Sequence, residues 1–164
     1  MKSEIAIIGC GRIGSVHARA ITETLPMVDL VLADVEPSRA IDLAKRVGAH
    51  AVDIPDIWDR PNLRAVAICS STTTHVDYIC AAAEAGVAVF CEKPVSLDLD
   101  EVDRAVRAVT DSDIPFMVGF HKRFDPTHQA TKQAVVDGRV GDVHLLRITT
   151  RDPQPPPMDY ISVS

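Results

Sequence analysis

Three glycines, Gly9, Gly11 and Gly14, sit between an apolar run and a helical pattern in IAIIGCGRIGSVHARAI, residues 5–21. Ile5 to Ile8 has no polar alternation, which suits a strand buried on both faces. The first glycine permits a tight turn, and the second lets main chain approach a phosphate with no Cβ in the way. The third lets the following helix lie close on the strand. That helix opens with free N–H groups and the positive end of its dipole, a ready anion site. Asp34 lies 20 residues beyond Gly14, at the end of the next expected strand. A carboxylate there accepts hydrogen bonds from both ribose hydroxyls of an adenosine and repels a 2′-phosphate. Together these residues predict a dinucleotide site that takes NAD in preference to NADP. Arg39 is the neighbour that could answer a 2′-phosphate instead, and a glycine turn with a capping aspartate is the plainer alternative.

Such a turn needs a sheet around it, and the rest of the chain supplies one. Strands are expected at Glu4–Ile8, Leu30–Ala33, Ala65–Cys69, Val87–Cys91 and Phe116–Val118. Amphipathic segments with recognisable ends lie between them. Pro37 opens a helix that Gly48 closes, Thr74 caps one that runs to Gly86, and Asp98 with Glu101 makes an acidic form of capping box. Asp125-Pro126 starts a further helix, which Gly138 ends. The alternation predicts an α/β fold, a doubly wound parallel (Rossmann) sheet over residues 1–120. After Gly141, DVHLLRITTRD alternates like a strand of a half-covered sheet, and PQPPPMDYISVS reads as extended and proline-rich. Residues 121–164 are therefore expected to hold a junction helix and the first strand of an incomplete α+β domain.

Composition narrows the partners. With 17 Lys plus Arg against 23 Asp plus Glu, and no basic block, nucleic acid is not expected. No apolar run is long enough for a bilayer, and the N-terminus makes a poor signal peptide because Glu4 interrupts it. Cys10, Cys69, Cys80 and Cys91 form no CxxC pair and no zinc spacing, so they read as reduced, buried residues of a cytoplasmic protein with no metal site.

In a doubly wound sheet, ligands gather beyond the C-terminal ends of the strands. SSTTTH, Ser70 to His75, follows one strand, and Glu92-Lys93-Pro94 follows another, so both should emerge at the nicotinamide end of the crevice. An ammonium held beside an alcohol oxygen stabilises the charge that develops there as hydride leaves carbon. That makes Lys93 the candidate catalytic group, and a surface lysine paired with Glu92 the bland alternative. The Lys93–Pro94 bond is a candidate cis peptide. His75 is divided between a cofactor contact and a structural role. His17, His50, His128 and His144 read as helix or surface positions with no partner cluster, and Trp58 as core or lid.

The motifs GCGRIG, Asp34, Thr74-His75, EKP and GFHKRFDP (Gly119 to Pro126), in this order and spacing, resemble the Gfo/Idh/MocA oxidoreductase family. RDPQPPPMDYI, residues 151–161, looks most like its inositol 2-dehydrogenases. Ser71 and Thr73 depart from the family loop, where proline and asparagine are common. The resemblance implies NAD held by Gly9, Gly11, Arg12, Ile13, Gly14, Asp34, Ser70, Thr72, His75 and Glu92. Glu92 would contact the nicotinamide-side ribose, and Lys93 would reach the hydroxyl of a cyclic polyol or sugar. Lys122 or Arg123 is an occasional active-site contact. Relatives also carry a second sheet domain with an Asp-x-x-x-His pair whose histidine is the general base. No such pair occurs before Ser164, so the chain is expected to be the N-terminal part of the enzyme or a naturally shortened product, binding NAD but turning over very slowly, if at all. The alternative is a non-catalytic dinucleotide-binding module. Because relatives pair through the second sheet, a homo-oligomer stays open.

Overall fold

The computed structural model describes residues 2–151 and residue 155. The first compact unit ends at Gly119. It contains β1 (Glu4–Ile8), α1 (Arg12–Thr24), β2 (Asp29–Ala33), α2 (Pro37–Val47) and β3 (His50–Ala51). The chain then crosses to β4 (Leu63–Ile68), α3 (Thr72–Glu84), β5 (Ala88–Cys91), α4 (Leu99–Asp111) and β6 (Phe116–Val118). All pairings are parallel, in the order β3-β2-β1-β4-β5-β6. The order reverses between β1 and β4, which opens a crevice beyond their C-terminal ends.

The residue pattern explains the layers. Successive side chains of a strand point to opposite faces, and here both faces are apolar. Ala6 and Ile8 join Val31, Val66, Ile68, Ile79 and Ala105 in one buried cluster. Ile7 joins Leu30, Leu32, Ala18, Ala40 and Leu43 in the other. Helix ends follow local chemistry. Gly48 takes the left-handed conformation that closes α2 (φ 72°), and its N–H reaches Ala44 O.

Several expectations need correction. β3 has no counterpart in the sequence reading: it is two exposed residues at the sheet edge, too short and too polar to show a strand pattern. Thr74 does not cap α3. The N-cap is Ser71, and the Thr74 hydroxyl donates back to its carbonyl at 2.8 Å. Asp98 does cap α4, accepting from Asp100 N, but the reciprocal half of the box is absent. Asp98 N–H goes to Ser96 Oγ, while Glu101 pairs with Arg104.

The second unit starts at Phe120. It holds a 3-10 turn at His121–Phe124 and α5 (Pro126–Val136), with Asp125 accepting from His128 N as N-cap. His128 also pairs through Nδ1 with Asp125 at 2.9 Å. Residues 142–151 form no strand, against expectation, because this unit has no other strand among the described residues with which a ladder could form. The proline-rich run 153–164 lies outside the described residues, Pro155 apart. Among the described residues no helix is long and apolar enough to cross a membrane.

Candidate dinucleotide site

Each strand tip extends its ladder by one hydrogen bond into the rim. Gly9 N donates to Ala33 O, Cys69 N to Ile8 O, Glu92 N to Ile68 O and Gly119 N to Cys91 O. Gly9, Asp34, Ser70, Glu92 and Gly119 thus leave the sheet on one side.

The glycine loop is shaped by contacts that only glycine tolerates. Gly9 has φ +98°, and a Cβ there would lie 2.5 Å from Ser70 N. A Cβ on Gly14 would run into the Gly9 carbonyl oxygen. Gly11 is different: no protein atom lies within 4 Å of where its Cβ would be. Its bare Cα faces open space, as a pyrophosphate cradle requires. No side chain caps α1, whose N-cap is Gly11, so the first-turn amides stay open toward that space.

Asp34 is already engaged. Its Oδ2 accepts from Cys10 N at 2.6 Å and its Oδ1 from Glu36 N at 2.9 Å. Two carboxylate oxygens offer about four acceptor positions, so room remains for a pair of ribose hydroxyls. The bond to Cys10 also locks the end of β2 to the glycine loop. Arg39 lines the same crevice, but its Nε is held by Glu36 Oε2 at 2.7 Å.

The crevice, about 340 Å³, is lined by Gly9, Gly11, Asp34 and Ser70 among the expected residues. Val35, Ile54 and Tyr78 add an apolar wall that the sequence reading missed. Only Val35, beside Asp34, carried a positional signal. Tyr78 has its hydroxyl pKa raised, by burial first and then by the charges of Asp34 and Asp77. Arg12, Ile13, Gly14 and Thr72 do not line the crevice. Ile13 packs on the core instead, and Thr73 and Thr74 take the place expected of Thr72. Under the loop, burial pushes the thiols of Cys10 and Cys69 up to about 12, which keeps them protonated and non-nucleophilic.

The second tip is held by histidines. His17 Nε2 lies 2.8 Å from Glu92 Oε1, and its ring meets Phe90 edge-on with centroids 5.0 Å apart. His17 therefore has partners, because its side chain reaches from α1 to Phe90 and Glu92 at the end of β5. A Cβ on Gly119 would come within 3.2 Å of the same carboxylate oxygen, so Glu92 sits in a fitted slot. His75, expected at the cofactor, is 2 % exposed. Its Nδ1 lies 2.8 Å from Pro94 O and its Nε2 3.1 Å from Ser70 O, which leaves no ring nitrogen for a ligand. The Lys93–Pro94 peptide is cis. Lys93 itself is exposed and has no partner among the described residues, so the bland pairing with Glu92 is not formed. No group of His, Cys, Asp and Glu among the described residues could hold a metal ion.

Known proteins share this arrangement. The family model described as "Oxidoreductase family, NAD-binding Rossmann fold" matches residues 3–120. Myo-inositol 2-dehydrogenase of Thermotoga maritima is 42 % identical over 166 residues, covering 98 % of this chain and 48 % of that protein. The crystal structure of a myo-inositol dehydrogenase from Corynebacterium glutamicum superposes with TM-score 0.88 at 40 % identity, over 99 % of this chain and 49 % of that one. A scyllo-inositol dehydrogenase from Lactobacillus casei, solved with NAD(H) and scyllo-inositol, gives TM-score 0.80 at 30 % identity, over 87 % of this chain and 43 % of its own. The chain spans about half the length of the curated relatives it matches. With a glycine turn, open helix amides and the Asp34 carboxylate at one rim, and a family model that matches residues 3–120 and so all six strands, the chain belongs to the Gfo/Idh/MocA oxidoreductase family, whose Rossmann fold binds NAD.

Proposed function

We propose that this chain is the cofactor-binding part of an NAD-dependent dehydrogenase acting on a ring hydroxyl of a cyclic polyol of the inositol type. Bound nicotinamide supplies the hydride acceptor. The main-chain amides of Gly11 to Gly14 hold the pyrophosphate, Asp34 the adenosine ribose, and Glu92 the ribose nearer the redox ring. In the reaction the carbinol C–H electron pair would leave as hydride to the nicotinamide, the O–H proton would pass to a histidine base of the kind relatives carry in their second sheet domain, and a C=O bond would form. Lys93 donates a hydrogen bond to that oxygen and stabilises its negative charge as the hydride goes. Residues 121–164 are read as the start of the polyol-binding domain. The working setting is a cytoplasmic protein without a nucleic-acid partner, and it leaves a homo-oligomer open.

One observation carries this reading: Lys93 is an exposed amine with no partner among the described residues, between two neighbours that are both pinned. The test is NADH formation from myo-inositol by wild-type protein and Lys93→Ala, with calorimetry of NAD and NADP on each. Turnover should fall about 100-fold or more while NAD affinity stays unchanged and NADP binds weakly. NAD binding with no oxidation of any polyol, and no effect of Lys93→Ala, would favour the non-catalytic module.

A further inference from the structure

His75 is the one buried polar side chain among the described residues, and the dinucleotide site does not use it. It stands in the first turns of α3, just after the Ser70 loop, and reaches across to the turn that follows β5. Both of its ring nitrogens face carbonyl oxygens, Pro94 O at 2.8 Å and Ser70 O at 3.1 Å. A neutral imidazole carries one proton, and we assign it to Nδ1 because that contact is the shorter of the two. Nδ1–H then donates to Pro94 O, the acceptor one residue past Lys93. On the other side of the lysine, Glu92 N is bonded to Ile68 O and its carboxylate to His17. The main chain is therefore fixed on both sides of Lys93, while the lysine side chain is left to move.

We infer that His75 is a positioning residue for Lys93, tying the carbonyl of Pro94 to the start of α3 so that the amine is presented at a fixed point on the rim. This rests on the role proposed above for Lys93. A buried histidine that served packing alone would need bulk and a filled cavity. A positioning histidine needs one directed donor. Asparagine places its amide nitrogen near the Nδ1 position, and glutamine places it near Nε2, so the two substitutions separate the two contacts.

The experiment uses the wild-type chain, His75→Asn and His75→Gln. A long-range proton–nitrogen spectrum of the wild-type imidazole should show the proton on Nδ1, and a bare Nδ1 would overturn the inference without any variant being needed. Backbone order parameters of Lys93 and Val95 should stay near the rigid value of ~0.85 in wild type and His75→Asn, and fall below ~0.6 in His75→Gln. Equal values in the two variants would overturn it. Neither readout uses turnover. Full activity of Lys93→Ala would therefore sink the catalytic role of the lysine and leave the His75 result standing.

Discussion

At Gly9–Gly14 the rim of the sheet is built from main chain, whereas at Glu92–Pro94 it is built from side chains held by residues far away in sequence. In the proposed site the first turn would bind through amides, so it needs only the absence of Cβ atoms and a helix start. The second must aim a carboxylate and leave an amine free, so it needs partners: His17, 75 residues before Glu92, and His75, 19 residues before Pro94. A ligand site made of backbone is therefore written locally, and one made of side chains is written across the fold.

The sharpest way to break this contrast lies inside the glycine loop, where two glycines do opposite work. Gly14→Ala pushes a methyl into the Gly9 carbonyl, a rigid main-chain neighbour. The helix must shift off the strand at a cost of about 3 kcal/mol, lowering the thermal midpoint by roughly 10 °C. Calorimetry should find NAD binding lost as well. Gly11→Ala meets no protein atom, so its midpoint should match wild type. The methyl instead occupies the space meant for the pyrophosphate, and NAD affinity should fall roughly 30-fold, about 2 kcal/mol. A Gly11→Ala protein that binds NAD normally would show that the cradle is not where the phosphates lie.

What the sequence made legible follows the same division. The strands of the central sheet declare themselves because Ile5 to Ile8, Leu30 to Ala33 and Ala65 to Ile68 are apolar on both faces. Gly9, Gly11 and Asp34 were readable because backbone sterics and spacing dictate them. His50–Ala51 was not, since two exposed edge residues pair with Val31 and Leu32 only because α2 delivers them there. His17 looked like any helical surface residue until α1 was laid over β5, and no local pattern marks it. The sequence leaves His75 between two roles, and the structural one is formed through an acceptor, Pro94 O, that belongs to a different strand tip.

The side-chain tip can be tested with a matched pair at His17. His17→Leu keeps bulk against Phe90 but leaves the Glu92 carboxylate, only 16 % exposed, without its partner. Leaving such a group unsatisfied costs about 1–3 kcal/mol. Its effect should appear as a roughly tenfold weaker NAD affinity with a smaller change in melting temperature. His17→Gln places an amide near Nε2 and should recover most of that affinity. Equal losses in the two variants would mean that His17 acts by packing and not by holding Glu92.

The effect confined to the narrowest range of conditions is a slope in stability at high pH, set by the thiols beneath both turns. Burial raises Cys10, Cys69 and Cys91 from the ordinary 9.0 to about 12, and the charge of Glu92 adds to the rise at Cys69 and Cys91. Above pH 9 the unfolded chain gives up these protons and the folded chain keeps them, so the folded state binds more protons and stability falls as pH rises. Their contribution is whole below pH 9 and is lost between pH 9 and about 12. Urea unfolding at pH 8, 9, 10 and 11 should give a midpoint that is flat at first and then declines. Cys91→Ala should decline less steeply than wild type. Cys91 is the informative choice because its thiol donates to Glu92 O at the strand tip itself. An unchanged slope would mean that the tip is open enough for that thiol to ionise as it does in water.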